Sequence, residues 1–167
     1  MRELTGFKLV RVSPKKAWAE PAKAGKRLGM TAGFGVQKPV IPLFAAVDAT
    51  PDETLATYPD GSAAVALRRT DDGWSLFVGP PGLTSELLRL AAGKAGVHLF
   101  TEADCNVYAN GPYVVLHASR DGPVQFDSGH PGRIADLLSG EQLGQGPKIT
   151  LPMRLGETRV LVASESD

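Results

Sequence analysis

Residues 104–126 read DCNVYANGPYVVLHASRDGPVQF, and this stretch decides the fold class of the C-terminal part of the chain. Its short apolar or alternating runs are separated by Asn110-Gly111 and Asp121-Gly122, and Ser139-Gly140 continues the pattern. Turn dipeptides at this spacing are typical of antiparallel strands joined by tight turns. We therefore predict a small antiparallel β-sandwich over residues 104–167.

The preceding region, residues 63–100, has a different pattern. Two apolar runs, Ala63 to Arg69 and Trp74 to Val78, flank the turn Thr70-Asp71-Asp72-Gly73 and predict a hairpin. The stretch from Thr84 to Gly96 then combines a capping residue, leucines at helical spacing and a terminal glycine, which predicts a helix. A further strand is expected over residues 97–100. Such a strand-helix-strand unit predicts a partial α/β sheet with one main helix over residues 1–103.

The first sixty residues give weaker signals. Residues 7–12 alternate well enough for a short strand, and residues 54–58 could form another. Residues 13–37 contain prolines and scattered glycines without apolar periodicity, so an irregular loop is expected there. Pro42 interrupts the apolar run of residues 39–47, which places that run at a sheet edge or places the proline at a strand start.

Composition excludes several classes of function. The 167 residues include 18 basic and 18 acidic side chains, so no net positive field attracts nucleic acid or an acidic membrane surface. No apolar stretch approaches the ~18 residues needed to cross a bilayer, and residues 1–20 lack a signal-peptide pattern. A single cysteine excludes an internal disulfide framework. A cytoplasmic protein is expected.

No cluster of acid, base or nucleophile is visible. Cys105 begins a predicted strand without the flanking glycines of a nucleophile elbow, which favours a structural cysteine. Glu102 and Asp104 are two residues apart, a spacing that a hydrolase could use, although a linker explains both equally well. We therefore predict no catalytic residue.

The remaining candidate functional residues are three histidines, one aspartate and three aromatic residues. His98, His117 and His130 stand alone without ligand spacing, so neither a metal nor any other cofactor is expected. Asp136 is expected to organise a turn through its side chain. Trp74 lies in a strand that reads as buried, whereas Tyr108 and Tyr113 remain candidate sugar-contact residues.

Several stretches, taken in order along the chain, carry a resemblance to a known family. They are Leu4-Thr5-Gly6, Pro42-Leu43-Phe44, Tyr58 to Ala64, Trp74 to Gly79, Leu87 to His98, Tyr108 to Asn110, Val115 to Ala118, Asp136 to Gly140 and Gly156 to Leu161. In order and spacing they resemble the C-terminal end of β-galactosidase-like glycoside hydrolases of the family-42 type. The resemblance covers most of the chain but omits residues 13–37.

The resemblance implies a place in a three-part plan. In that family a catalytic (β/α)₈ barrel precedes an amidotransferase-like α/β domain that builds a trimer, and a small β-sandwich closes the chain. Residues 1–103 would then be the later part of the trimerisation domain, and residues 104–167 the sandwich. The barrel needs about 250 residues and cannot fit within this chain, so its two catalytic glutamates have no counterparts here.

The sequence thus predicts a non-catalytic assembly and support region rather than an enzyme on its own. The expected partners are further copies of the chain or an upstream catalytic barrel, with carbohydrate as a possible ligand and with neither nucleic acid nor membrane. Two alternatives stay open. One is a carbohydrate-binding β-sandwich module. The other is a small stand-alone hydrolase that uses Glu102, Asp104 or Cys105.

Overall fold

The structure is a computed structural model that describes residues 5–164. Residues 1–4 and 165–167, which fall within the predicted regions 1–103 and 104–167, lie outside the described residues. Backbone proximity divides the chain into two compact units, of which the first ends at Val97 and the second begins at His98. Neither described helix is of a length and apolarity that could span a membrane.

The N-terminal unit is built mainly from strands. They are β1 (Leu9–Val12), β2 (Ala17–Pro21), β3 (Phe34–Val36), β4 (Leu43–Ala46), β5 (Thr54–Thr57), β6 (Ala63–Thr70) and β7 (Gly73–Val78), with helices α1 (Lys23–Arg27) and α2 (Ser85–Lys94). Five strands form one sheet in the order β3-β2-β5-β6-β7, and β1 pairs with β4 in a second, two-stranded sheet. All these strand pairs are antiparallel.

Strand β6 has a nearly continuous apolar sequence because both of its faces are covered. Val65 and Leu67 belong to the main core, while Ala66, which points the opposite way, packs with Phe7 and Ala46. A strand that is covered on both faces has apolar residues at successive positions. Removing a side chain such as Val65 from water stabilises the fold by roughly 1.5–3 kcal/mol.

The predicted α/β fold class is wrong. Residues 97–100 form no strand after α2, and the sheet contains only antiparallel pairs, so the strand-helix-strand unit does not exist. Phe100 instead packs against the core of the C-terminal unit, and its carbonyl accepts a hydrogen bond from the Asp127 amide. The apolar character of residues 97–100 therefore reflects packing of one aromatic side chain rather than a sheet ladder. Helix α2 itself is present, and Thr84 caps it by accepting a bond from the Leu87 amide at 3.3 Å.

The prediction of an irregular loop over residues 13–37 is also wrong. This segment contains β2, α1 and β3, and β2 joins the sheet between β3 and β5. The sequence signal is the alternation of Ala17 and Ala19, both fully buried, with Trp18 and Glu20. In β2 the side chains that face the core are alanines, and the larger core residues of the segment, Met30 and Phe34, add no apolar periodicity among the prolines and glycines.

The C-terminal unit is a two-layered antiparallel β structure. Its strands are β8 (Cys105–Asn110), β9 (Tyr113–Ala118), β10 (Gly122–Asp127), β11 (Arg133–Asp136), β12 (Gln142–Gln145), β13 (Lys148–Met153) and β14 (Thr158–Ser164). One sheet has the order β12-β11-β14-β9-β8, and β10 pairs with β13 in the other. Leu116 and Leu161 from the larger sheet share one core with Phe126 and Met153 from the smaller sheet. Antiparallel strands in this region agree with the prediction from the turn dipeptides.

Candidate functional site

The larger sheet of the C-terminal unit has one buried and one exposed face. Val114, Leu116 and Ala118 of β9 are buried, so the alternate residues of this strand and their cross-strand partners point away from the core. We call this surface the outer face. It comprises Asn106, Tyr108 and Asn110 of β8, Tyr113, Val115 and His117 of β9, and Thr158, Val160 and Val162 of β14.

Both predicted sugar-contact residues lie on the outer face. Tyr108 is opposite Val115, and Tyr113 is opposite Asn110, so the two tyrosines are diagonal neighbours across the hairpin, about 7–8 Å apart at the backbone. Tyr108 is 67% exposed and Tyr113 is 47% exposed. The two residues thus share one face of the hairpin, while their role in sugar binding stays a prediction.

Chemically, the outer face contains no Asp, Glu, Lys or Arg and mixes aromatic, aliphatic and hydrogen-bonding groups. His117 Nδ1 lies 2.8 Å from Thr158 Oγ1, and Asn106 is opposite His117 in the neighbouring strand. Such a surface can stack on apolar faces of a ligand and hydrogen-bond to its polar groups. The same features suit a contact with another protein surface.

The candidate residues of a hydrolase are placed differently. Glu102 is exposed and lines a small recess of about 60 Å³ with Asp127 and Lys148. Asp104 accepts a hydrogen bond from the Ser119 hydroxyl at its backbone oxygen. The side chain of Cys105 is half-buried and packs against the core of the C-terminal unit, as expected for a structural cysteine.

Each histidine has a separate environment. His98 Nε2 lies 2.8 Å from the Asp127 backbone oxygen, and its ring meets Phe100 edge-on with centroids 4.8 Å apart. His117 pairs with Thr158, and His130 is exposed in a loop. Within residues 5–164, no group of three or more His, Cys, Asp or Glu side chains is arranged to hold a metal ion.

Trp74 was expected in the core, and that prediction is wrong. Its side chain is 42% exposed and lies opposite Arg69 in the β6–β7 hairpin. The Lys94 ammonium of α2 is 4.1 Å from the centroid of the indole ring, within cation–π range. Trp74 also lines a groove of about 410 Å³ with Asp72 and Ala91. Strand β7 ends the sheet, and its residues are half-buried or exposed rather than fully buried.

An ion-pair cluster around Arg68 was not predicted from the sequence. The guanidinium donates to both carboxylate oxygens of Glu53 at 2.6 and 2.8 Å, and to the backbone oxygens of Gly6 and Asp48 at 2.6 and 2.8 Å. It also lies 4.4 Å from the centroid of the Phe7 ring. The bidentate bond to Arg68 lowers the pKa of Glu53 to about 2. A charged residue within the apolar run of β6 was the only signal in the sequence.

The pKa of Glu53 predicts an acid dependence of stability. The pKa of Glu53 in the folded protein lies below its usual value of 4.5. The stability that this carboxylate contributes is therefore fully present above about pH 5 and is lost as the pH falls toward 2. We expect a loss on the order of 2 kcal/mol across this range from Glu53. Urea unfolding followed by tryptophan fluorescence reports on the N-terminal unit, because Trp18 and Trp74 both lie there. Glu53→Gln should show a shallower acid dependence, and parallel curves for the two proteins would contradict the assignment.

A second arginine organises one end of the C-terminal unit. Arg159 Nε donates to Glu157 at 2.7 Å, and Arg159 NH1 donates to the buried carboxylate of Asp136 at 3.1 Å. The other oxygen of Asp136 accepts from the Leu138 amide at 2.9 Å, which confirms the predicted turn role of this side chain. Bonds from the Arg154 amide and Arg159 lower the pKa of Glu157.

Comparisons with known proteins identify fold relatives only. No protein-family model and no curated protein sequence matches the chain. Among solved structures, a β-galactosidase from Bacillus circulans sp. alkalophilus matches 98% of this chain with a TM-score of 0.55 and 19% identity. A catalytic mutant of a GH42 β-galactosidase from G. stearothermophilus matches 97% with a TM-score of 0.51 and 17% identity. The chain spans about a quarter of each structure, 25% and 24%, and shares the fold of that part.

Proposed function

We propose that this chain is a non-catalytic support module of a β-galactosidase-type glycoside hydrolase, and that it makes subunit or domain contacts. One observation carries the proposal. Almost the whole chain, 98% and 97%, matches a portion of two β-galactosidases that amounts to 25% and 24% of their length. A chain of this size corresponds to an accessory part of such an enzyme, since a (β/α)₈ barrel needs about 250 residues.

The electrostatics of the described carboxylates support a structural role. A glycosidase needs a general acid whose pKa is raised, so that it is still protonated near neutral pH. The pKa values of Glu53, Asp48 and Glu157 are instead lowered. Arg68 bonds the first two of these carboxylates, and Arg159 bonds Glu157. They hold the backbone in place and remain ionised, which suits a scaffold better than proton transfer.

Exposed apolar side chains support a role in contacts. On the C-terminal unit, Leu137 and Leu138 are 54% and 72% exposed and follow the buried Asp136 turn. The outer face adds Tyr108 and Tyr113. Large apolar groups that are held in ordered positions at the surface are typical of protein interfaces, where their burial contributes favourable free energy.

A carbohydrate-binding module is the second candidate function. The observation that favours it is that Tyr108 and Tyr113 are exposed on the same face of one hairpin, and that amide and hydroxyl groups lie on this outer face as well. Aromatic rings can stack on the apolar face of a sugar while neighbouring polar groups bond its hydroxyls. Under this alternative the two rings are essential to ligand binding.

Three measurements on the purified chain test these functions. We expect no hydrolysis of aryl β-galactosides, concentration-dependent association in sedimentation velocity, and no heat of binding with galactosides in titration calorimetry. Turnover that disappears in Glu102→Gln, Asp104→Asn or Cys105→Ala would overturn the proposal in favour of a hydrolase. Galactoside binding that is lost in Tyr108→Ala and Tyr113→Ala, but retained in a Trp74→Ala control, would favour the carbohydrate-binding module.

A further inference from the structure

Strand β8 forms an open edge of the larger sheet of the C-terminal unit. It pairs with β9 on one side over six consecutive residue pairs without a register shift, and no strand flanks its other side within the described residues. Every residue from 106 to 110 is exposed. The stretch reads NVYAN and contains neither a charge nor a proline, the two features that commonly protect an edge strand.

The opposite edge of the same sheet is built differently. Strand β12 has four residues, includes Gly144, and meets β11 with a register shift between Ile134 and Ala135. A short, irregular strand is a poor template for further pairing. Only one of the two sheet edges is therefore regular and long enough to accept another strand.

The hydrogen bonds of β9 show which backbone groups of β8 point outward. The Ala118 amide donates to Glu157 and its carbonyl accepts from Gly156, so Ala118 and the alternate residues of β9 bond toward β14. The remaining residues of β9, including Val115, therefore bond toward β8, and Tyr108 is the partner of Val115. It follows that the amides and carbonyls of Val107 and Ala109 point away from the sheet.

We propose that β8 pairs antiparallel with β8 of a second copy of this chain, about a two-fold axis that passes at Tyr108. The sequence argument for a second copy is the near-symmetry of Asn106-Val-Tyr-Ala-Asn110 about its centre. A two-fold axis there places Asn106 opposite Asn110 of the partner and Tyr108 opposite its own copy. The pairing is isologous, as expected for a symmetric dimer.

The backbone geometry fits this arrangement. Val107 of one copy lies opposite Ala109 of the other, and these are the residues whose amides and carbonyls point outward, so the pairing makes four backbone hydrogen bonds. The two Tyr108 residues form a non-hydrogen-bonded pair with Cα atoms about 4.5 Å apart, where side chains contact closely. The two five-stranded sheets become one, and the outer faces of the two copies become continuous.

This inference rests on the proposed function, because it names a surface for the assembly role. A contact confined to one strand buries less than the ~1,200 Å² that is typical of a stable interface, so the dimer is expected to be weak. Sedimentation should show its formation between about 10 µM and about 1 mM protein.

Cysteine cross-linking tests the position of the two-fold axis. In a Cys105→Ala background, Tyr108→Cys should form a disulfide-linked dimer on mild oxidation with diamide, since Cα atoms ~4.5 Å apart suit a disulfide. Asn106→Cys is the matched control. Its position lies opposite Asn110 of the partner rather than opposite itself, so this variant alone should form no disulfide-linked dimer under the same oxidation. Mixing Asn106→Cys with Asn110→Cys should restore the cross-link.

Charge exchange at Tyr108 gives an independent readout. Tyr108→Lys and Tyr108→Glu should each abolish association, because like charges lie directly opposite each other across the axis. An equimolar mixture of the two should associate again. Gln125→Lys and Gln125→Glu change an exposed residue of β10, and each variant should associate as strongly as the wild-type chain.

The outcomes separate this inference from the proposed function. Two results would overturn the two-fold pairing: association that survives both charge substitutions at Tyr108, or equal cross-linking of Tyr108→Cys and Asn106→Cys. In either case the proposed assembly role would still hold, but through another surface. A wild-type chain that stays monomeric up to about 1 mM would overturn both the pairing and the self-association expected of the proposed function. Galactoside binding that requires Tyr108 in a monomeric chain would assign the strand to a ligand instead.

Discussion

Gly25→Ala is expected to lower the free energy of unfolding of the N-terminal unit by about 3 kcal/mol or more. A methyl group on Gly25 would lie far inside contact distance of the Leu55 carbonyl oxygen, and 2.9 Å from Met30 Sδ. Leu55 is fully buried in β5, and its carbonyl already accepts a hydrogen bond from the Ala22 amide at 2.8 Å. The clash can therefore be relieved only by moving α1 away from the sheet, which opens the core and breaks this bond.

The matched control is Gly93→Ala in the exposed part of α2. A methyl group there meets no atom within 4 Å, so the substitution should stabilise the helix by roughly 0.5–1 kcal/mol. Urea unfolding followed by tryptophan fluorescence measures both variants, because both tryptophans lie in this unit. Similar midpoints for Gly25→Ala and wild type would show that α1 does not pack against β5 in this way.

Gly25 explains why the sequence of residues 13–37 predicts a loop although the segment forms strands and a helix. Glycine normally weakens a helix, and its presence among prolines indicated a loop. In the structure, Gly25 lets α1 approach the carbonyl of Leu55, because glycine has no side chain to collide with it. This contact joins residues that are distant in sequence, so a local sequence pattern does not reveal it. Ala17 and Ala19 are fully buried in the same core.

Strands that end in recognisable turns were predictable. The hairpin of β8 and β9 turns at Gly111-Pro112, and the hairpin of β6 and β7 turns just before Gly73, where dipeptides such as Asn-Gly and Asp-Gly favour tight turns. A two-residue turn also determines that Tyr108 and Tyr113 share a face, since alternation runs without interruption through both strands. Their joint placement on the outer face therefore follows from sequence.

Long-range packing was not predictable from the same patterns. Trp74 lies in an apolar run that could belong to a buried or a partly covered strand, and alternation alone does not distinguish these. Its exposure follows from the position of β7 at the end of the sheet, and strand order is a property of the whole unit. The predicted fold class is wrong for a related reason, since residues 97–100 have a strand-like composition but form no strand, and Phe100 packs instead against the core of the C-terminal unit.

Arg68→Met is expected to destabilise the N-terminal unit by about 3 kcal/mol. The side chain is 19% exposed and joins segments distant in sequence, through bonds to Gly6, Asp48 and Glu53. Methionine keeps the aliphatic contacts but leaves two carboxylates and two backbone oxygens without the guanidinium. The penalty comes mainly from the loss of the guanidinium beside these groups, because removing one partner of a largely buried pair costs more than the pair contributes.

Two further variants make the test specific to the guanidinium of Arg68. Arg69→Met changes the next residue of β6, which is exposed and lies 5.9 Å from the Trp74 ring centroid, so unfolding should change by less than about 0.5 kcal/mol. Arg68→Lys keeps the charge but cannot bond Glu53 through a planar fork, so its stability should fall between those of Arg68→Met and wild type. If Arg68→Met and Arg69→Met unfold at the same urea concentration, the cluster does not hold these segments together. If Arg68→Lys equals wild type, charge rather than the bidentate geometry is what the site requires.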